Sequence, residues 1–230
     1  RDVERSRGLG DVYKRQGESM RPQKEILEIF DILSANDPAP KSELEYSNAF
    51  TLLVAIVLSA QSTDKGVNKA TKELFKVADT PAKMAALGVE KLKEYIKTIG
   101  LYNNKAKNVI AMSEILVRDY NGEVPEEQEK LESLPGVGHK TANVLRNVWF
   151  GKPTMAVDTH VFRIAHRLDF SQGKTVEAVE KDLLKALPEK YLMYANHWLV
   201  LFGRYVCKAQ KPKCTECLLA QFCRSEDKNI

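Results

Sequence analysis

The sequence predicts an all-α protein, and three observations carry that reading. Apolar residues recur at helical spacing along most of the chain. Capping and stop residues stand at the ends of those stretches. No segment combines strand-like alternation with hairpin turns. With 43% hydrophobic and 29% charged residues over 230 positions, the composition is globular and allows one or two cores. The longest apolar run, Leu52 to Leu58, falls short of the roughly 18 residues a bilayer span needs. The first residues lack the apolar stretch of a secretory signal, which predicts a cytoplasmic protein with no membrane partner.

The elements follow in order. Residues 1–19 read as a non-native or disordered N-terminal extension without sustained periodicity. Asp11 to Gln16 matches what a common sequencing adapter would encode, which puts the natural start at or near Met20; the alternative is a disordered basic arm. Ile26, Leu27, Ile29, Phe30 and Leu33 form one apolar helical face. Phe50 to Leu58 is apolar all round and reads as a central buried helix. Thr80 and Pro81 are an N-cap and a first-turn proline. Asn103 or Asn104 can cap a helix that buries Ala106, Val109, Ile110 and Leu116 and stops at Asn121-Gly122. Short helices are expected at 127–133, 139–150, 159–168, 175–187 and 191–203. Gly151 to Pro153 and the extended run to Val157 look like a hinge, and a domain boundary is placed there.

All four cysteines, Cys207, Cys214, Cys217 and Cys223, fall in one C-x6-C-x2-C-x5-C cluster. Disulfides are disfavoured in a cytosolic chain. Zinc accepts four thiolates, but zinc ribbons use two separated C-x2-C knuckles and only one is present. An iron–sulfur cluster also takes four thiolates and suits a compact loop with uneven spacing, so the spacing favours it over zinc. Between Gly203 and Arg224 five basic residues face one acidic residue, a net +4 that equals the formal charge of the whole chain. Basicity so concentrated suggests a polyanionic partner, against the plainer reading of a solvated loop.

Leu134-Pro-Gly-Val-Gly-His-Lys-Thr141 joins two expected short helices. Its glycines allow a tight turn whose amides point outward, and amides at a helix N-terminus form an anion site. This is a candidate helix–hairpin–helix at about 128–150, able to hold a DNA phosphate without reading sequence; an ordinary helix–helix turn is the plain alternative. Lys140 lies in the first turn, where the helix dipole opposes its charge. A bound phosphate would compensate it. The sharper reading is that the same field, with partial burial, favours a neutral, nucleophilic amine. Asp158, just past the hinge, is the carboxylate best placed to manage that proton, and it can serve as an N-cap as well. His160, His166 and His197 read as structural or partly exposed. Gly173-Lys-Thr175 resembles the end of a phosphate loop, but Leu168 stands where that motif needs glycine, so nucleotide hydrolysis is rejected.

Taken together, Leu58 to Asp64, Thr98 to Tyr102, Leu134 to Ala142, Val157 to His160 and the cysteine spacing resemble the endonuclease III family of DNA glycosylases, from about Arg21 onward. The resemblance implies two helical domains flanking a DNA-binding cleft. One is a six-helix domain over 42–152 with the hairpin; the other joins 20–41 to 153–230 and carries a C-terminal [4Fe–4S] cluster loop on the four cysteines. It further implies removal of oxidised pyrimidines of the thymine glycol class from duplex DNA, and cleavage of abasic strands by Schiff-base β-elimination. Lys140 would be the nucleophile, with Asp158 assisting. Gln61 would fill the gap left by a flipped nucleotide and Leu101 would wedge into the stack. Gly136, Val137, Gly138 and His139 would contact the backbone, joined by Lys208, Lys211 and Lys213 beside the cluster. The implied protein is a bacterial, nucleoid-associated monomer. His139 departs from the family's usual arginine and weakens one phosphate contact at neutral pH. Two rivals remain: a monofunctional glycosylase of the superfamily, which would lack a lysine at 140, and a non-catalytic iron–sulfur DNA-binding protein, which would have lost Lys140 or Asp158.

Overall fold

The computed structural model describes residues 21–228, and the extension expected at 1–19 lies outside the described residues. Among the described residues there are eleven α-helices, two 3-10 turns and no strand. They divide into two compact units: Lys41–Ala156, and the segment up to Pro40 together with Val157 onward.

The Lys41–Ala156 unit is built around α2 (Ala49–Ser59), whose residues Phe50 to Leu58 are all buried. A helix apolar on every side must be enclosed, and α3 (Asp64–Val77), α6 (Tyr102–Tyr120) and α8 (His139–Val148) pack around it. Its start is fixed by a capping box in which Asn48 accepts from the Thr51 amide and Thr51 Oγ1 accepts from the Asn48 amide. Further segments, α4 (Pro81–Leu87), α5 (Val89–Ile96) and α7 (Gln128–Glu132), pack on α6 and α8. Thr80 caps α4 with Pro81 at its first position, as expected.

One expectation is corrected and two helices are added. Neither Asn103 nor Asn104 caps α6: the helix begins two or three residues earlier than those caps imply, at Tyr102, behind Leu101 in the left-handed region. Two helices, α3 and α5, are missing from the sequence reading. The stop at Asn121-Gly122 does stand, with Asn121 left-handed and the Gly122 amide bonded to Leu116 O at 2.8 Å.

The other unit joins α1 (Gln23–Asn36) to α9 (Thr159–Arg167), α10 (Val176–Ala186) and α11 (Glu189–Tyr205). Phe30 of α1 sits among Phe170, Tyr191 and Trp198, with ring centroids 5.7 to 6.2 Å away. Trp198 Nε1 donates to Asp37 O at 2.7 Å, and buried Arg21 donates to Leu168 O at 2.6 Å and to Phe222 O. Segments far apart in sequence therefore share one core. Among the described residues no helix is long and apolar enough to cross a membrane.

Candidate DNA-repair site and metal centre

The hairpin lies between α7 and α8. Gly136 has φ +78°, and a Cβ there would meet Asn108 Cβ at 3.0 Å, so both conformation and space demand glycine. Gly138 is different. Its φ of −92° suits any residue, so of the two glycines only Gly136 is required by the backbone of the turn. What Gly138 supplies is room: a Cβ there would meet nothing within 4 Å. As the N-cap of α8 it offers no side chain to the first amides, so the positive end of the helix faces solvent. Val137 is turned inward, its side chain buried and its amide donating to Leu134 O at 3.1 Å.

Lys140, second residue of α8, is exposed; the partial burial expected for it is not present. His139 Nδ1 lies 2.7 Å from Glu132 Oε1, and Asn143 Nδ2 lies 3.2 Å from its Nε2. An amide donating to Nε2 leaves the proton on Nδ1, directed at Glu132. Hydrogen bonds from Gln128 and then His139 hold the Glu132 carboxyl below the usual carboxylate range. Periodicity has no means of announcing this supporting trio of Gln128, Glu132 and Asn143.

Gln61 and Leu101 both have left-handed backbones, φ 56° and 59°. For side chains without glycine's freedom this costs about 1–2 kcal/mol each, and such strain gathers at functional positions. Both are exposed, Leu101 at 59%, and a Cβ on Gly100 would lie 3.7 Å from the Gln61 carbonyl oxygen. The unit thus brings these two residues side by side.

In the other unit Asp158 is the N-cap of α9. Its Oδ1 accepts from the His160 and Val161 amides, both at 2.8 Å, while Oδ2 faces His160 Nδ1 at 3.1 Å. The carboxylate side chain is only 15% exposed. Such double acceptance fixes its orientation.

Cys207, Cys214, Cys217 and Cys223 line one cavity walled by Leu168, Phe202, Val206 and Leu219. Among the described residues no three His, Cys, Asp or Glu side chains converge tightly enough for a single metal ion, so the thiols are spread around the cavity. Burial, reinforced by the neighbouring sulfurs, pushes the Cys217 thiol up. A thiolate set against an apolar wall is favoured by a bound cationic metal. The residues therefore fit an iron–sulfur cluster and could hold one. Two arginines absent from the sequence reading fasten this loop. Arg163 donates to Cys207 O at 3.0–3.1 Å and Gly203 O at 2.9 Å; Arg167 donates to Lys208 O at 2.7 Å and Cys207 Sγ at 3.4 Å. No local pattern links them to cysteines forty residues away. Lys208, Lys211 and Lys213 are exposed on the same loop.

An uncapped hairpin helix with a lysine in its first turn, in a chain with a four-thiol loop, defines a helix–hairpin–helix DNA-repair protein. A family model described as HhH-GPD superfamily base excision DNA repair protein matches residues 54–189, and the iron–sulfur binding domain of endonuclease III matches residues 207–223. Endonuclease III of Rickettsia conorii is 56% identical over 86% of this chain and 94% of its own length. That of Escherichia coli K12 is 54% identical over 88% and 96%. The structure of a trapped endonuclease III–DNA covalent intermediate superposes with TM-score 0.84 at 45% identity, covering 89% of this chain and 97% of that one. The chain belongs to the endonuclease III family, and with it to the DNA glycosylases with abasic-site lyase activity that carry a [4Fe–4S] cluster.

Proposed function

We propose that the chain removes oxidised pyrimidines of the thymine glycol class from duplex DNA and cuts the resulting abasic strand through a Schiff base on Lys140. The observation that carries this reading is the exposed Lys140 in the first turn of a helix whose N-terminal amides have no side-chain cap. Those amides, with Gly138 giving clearance, suit a backbone phosphate; Gly136, Val137 and His139 complete the hairpin that meets the strand. Gln61 fills the space left by the extruded nucleotide and Leu101 wedges into the stack, offsetting an unstacking cost of a few kcal/mol.

The chemistry then runs through this chain's own groups. Once deprotonated, the amine of Lys140 forms a bond to C1′, and the C1′–N bond breaks with its electron pair leaving on the base. The amine sheds its proton, the sugar ring opens, and an iminium joins Lys140 to C1′. That cation acidifies the 2′ hydrogen; its removal expels the 3′ phosphate, and water releases the lysine. Asp158, with Oδ1 committed to the cap, offers Oδ2 to the lysine proton and to positive charge developing on the sugar. Cys207, Cys214, Cys217 and Cys223 would hold the cluster, which supplies a rigid fold for the loop rather than a step in catalysis. Lys208, Lys211 and Lys213 would meet the DNA backbone there. The covalent complex solved for a relative supports the same route here. The relatives are bacterial, and we take the setting to be cytoplasmic and nucleoid-associated and the working unit to be a monomer.

Borohydride reduction during turnover tests the mechanism. On a duplex carrying thymine glycol, the wild type is expected to yield a covalent protein–DNA adduct and Lys140→Ala none. Absence of an adduct on both thymine-glycol and abasic duplexes would overturn the lyase assignment.

A further inference from the structure

Lys105 is 6% exposed, and its charge has no place in the chemistry above. It sits in the first turn of α6. Its Nζ donates to Leu58 O at 2.9 Å, Ala60 O at 2.5 Å and Ser62 Oγ at 3.2 Å, which uses all three ammonium protons. Among the described residues no carboxylate pairs with it, and burial alone pulls the amine below the usual lysine range. A buried, unpaired ammonium is costly. What it touches explains its place. Leu58 and Ala60 lie at the C-terminal end of α2, where carbonyls lack helical partners and favour a cation, and α2 has no basic residue of its own in its last turn.

The three acceptors straddle Gln61. Ala60 precedes it and Ser62 follows it, so the ammonium grips the chain on both sides of a left-handed residue. The backbone amide of Lys105 donates to Leu101 O at 3.1 Å, tying the same residue to the second left-handed position. We infer that Lys105 is a positioning residue that holds Gln61 and Leu101 in register, so that extraction of a base from duplex DNA depends on it. This rests on the proposed roles of Gln61 and Leu101. The ammonium would touch neither DNA nor the reacting atoms. It would set the spacing of the two side chains that replace the extruded nucleotide, and misplacement of such groups by about 1 Å can cost two orders of magnitude in rate.

The test is a double-mutant cycle on the full holoprotein, read as single-turnover excision of thymine glycol from duplex. Strand cleavage at a preformed abasic site in single-stranded DNA, which needs no extrusion, is the reference. Lys105→Met is expected to lower duplex excision about ten- to a hundred-fold and to fall far less in the single-stranded reaction. Combined with Gln61→Ala or Leu101→Ala it should add little to their own loss, because the residues act as one unit. A lysine that merely stabilised the fold would depress both reactions together and add fully to both partners, and that result would overturn the proposal. If Gln61→Ala and Leu101→Ala themselves excise like wild type, the roles given to those side chains fail and the positioning claim falls with them. If either is impaired while Lys105→Met is not, the positioning claim alone is wrong. Should Lys105→Met not fold, Ser62→Ala removes one acceptor and keeps the ammonium. Reduced duplex excision that is non-additive with Gln61→Ala then supports the proposal, and unchanged or additive excision overturns it.

Discussion

The carboxylate of Asp158 divides its oxygens between two tasks, Oδ1 holding two helix amides and Oδ2 facing His160. Substitution can separate them. Asp158→Asn keeps an oxygen for the cap and loses the charge, so thermal melting should stay near wild type while excision falls about a hundred-fold or more. Asp158→Ala loses the cap as well, at about 1 kcal/mol, and should also lower the melting temperature. Excision by Asp158→Asn at the wild-type rate would show that the charge is not needed. Lys140 and Asp158 were both legible in the sequence, because a lysine in a first helical turn and an acid at a helix start are local features. The exposure of Lys140 was not, since burial depends on residues distant in the chain. The same holds for Lys105, whose partners lie more than forty positions upstream.

At the scale of elements, the hairpin's glycines predict opposite behaviour. Gly136→Ser forces a side chain into a left-handed residue pressed on Asn108, which should destabilise by about 1–2 kcal/mol or more. Gly138→Ser places a good capping residue where φ already suits one, and should stabilise α8 by a few tenths of a kcal/mol. Its hydroxyl would then occupy the amides proposed for the phosphate. Melting should rise while DNA affinity, read by fluorescence anisotropy, falls; unweakened binding would remove the phosphate from the start of α8. Helix ends show how far local reasoning reaches. Thr80-Pro81 and Asn121-Gly122 were legible because each boundary is written in adjacent residues. The start of α6 was misplaced because Leu101 takes a left-handed turn that no local preference supports. α5 escaped because its buried face is sparse, only Leu92 and Ile96, whereas Val67, Ala70, Thr71 and Leu74 of α3 fall at i, i+3, i+4 and i+7, so that helix was legible in the sequence.

At the scale of the molecule, the cysteine loop is knitted to the first described helix. Arg21 reaches Phe222 O and Leu168 O, and Arg224 pairs with Asp169 at 2.7 Å. Loss of the cluster should therefore spread beyond its ligands. Cys214→Ser is expected to lower iron content and the visible absorption of the protein, and to raise amide hydrogen exchange in residues 23–36 as well as 207–223. Residues 49–59, enclosed in the other unit, should keep their protection. Faster exchange confined to 207–223 would show that the arginine links do not transmit the loss.

The unit that begins with α1 is completed only by α9, α10 and α11. On the ribosome, α1 emerges before the rest of the described helices, and Trp198 follows more than 160 residues later. At synthesis rates of roughly 5–20 residues per second, that is a wait on the order of ten seconds. For that interval Phe30 lacks its ring partners Phe170, Tyr191 and Trp198, while the complete Lys41–Ala156 segment can already collapse around α2. The nascent chain thus spends its longest pause with one apolar helix unsheltered, and chaperone binding and misassembly would concentrate there.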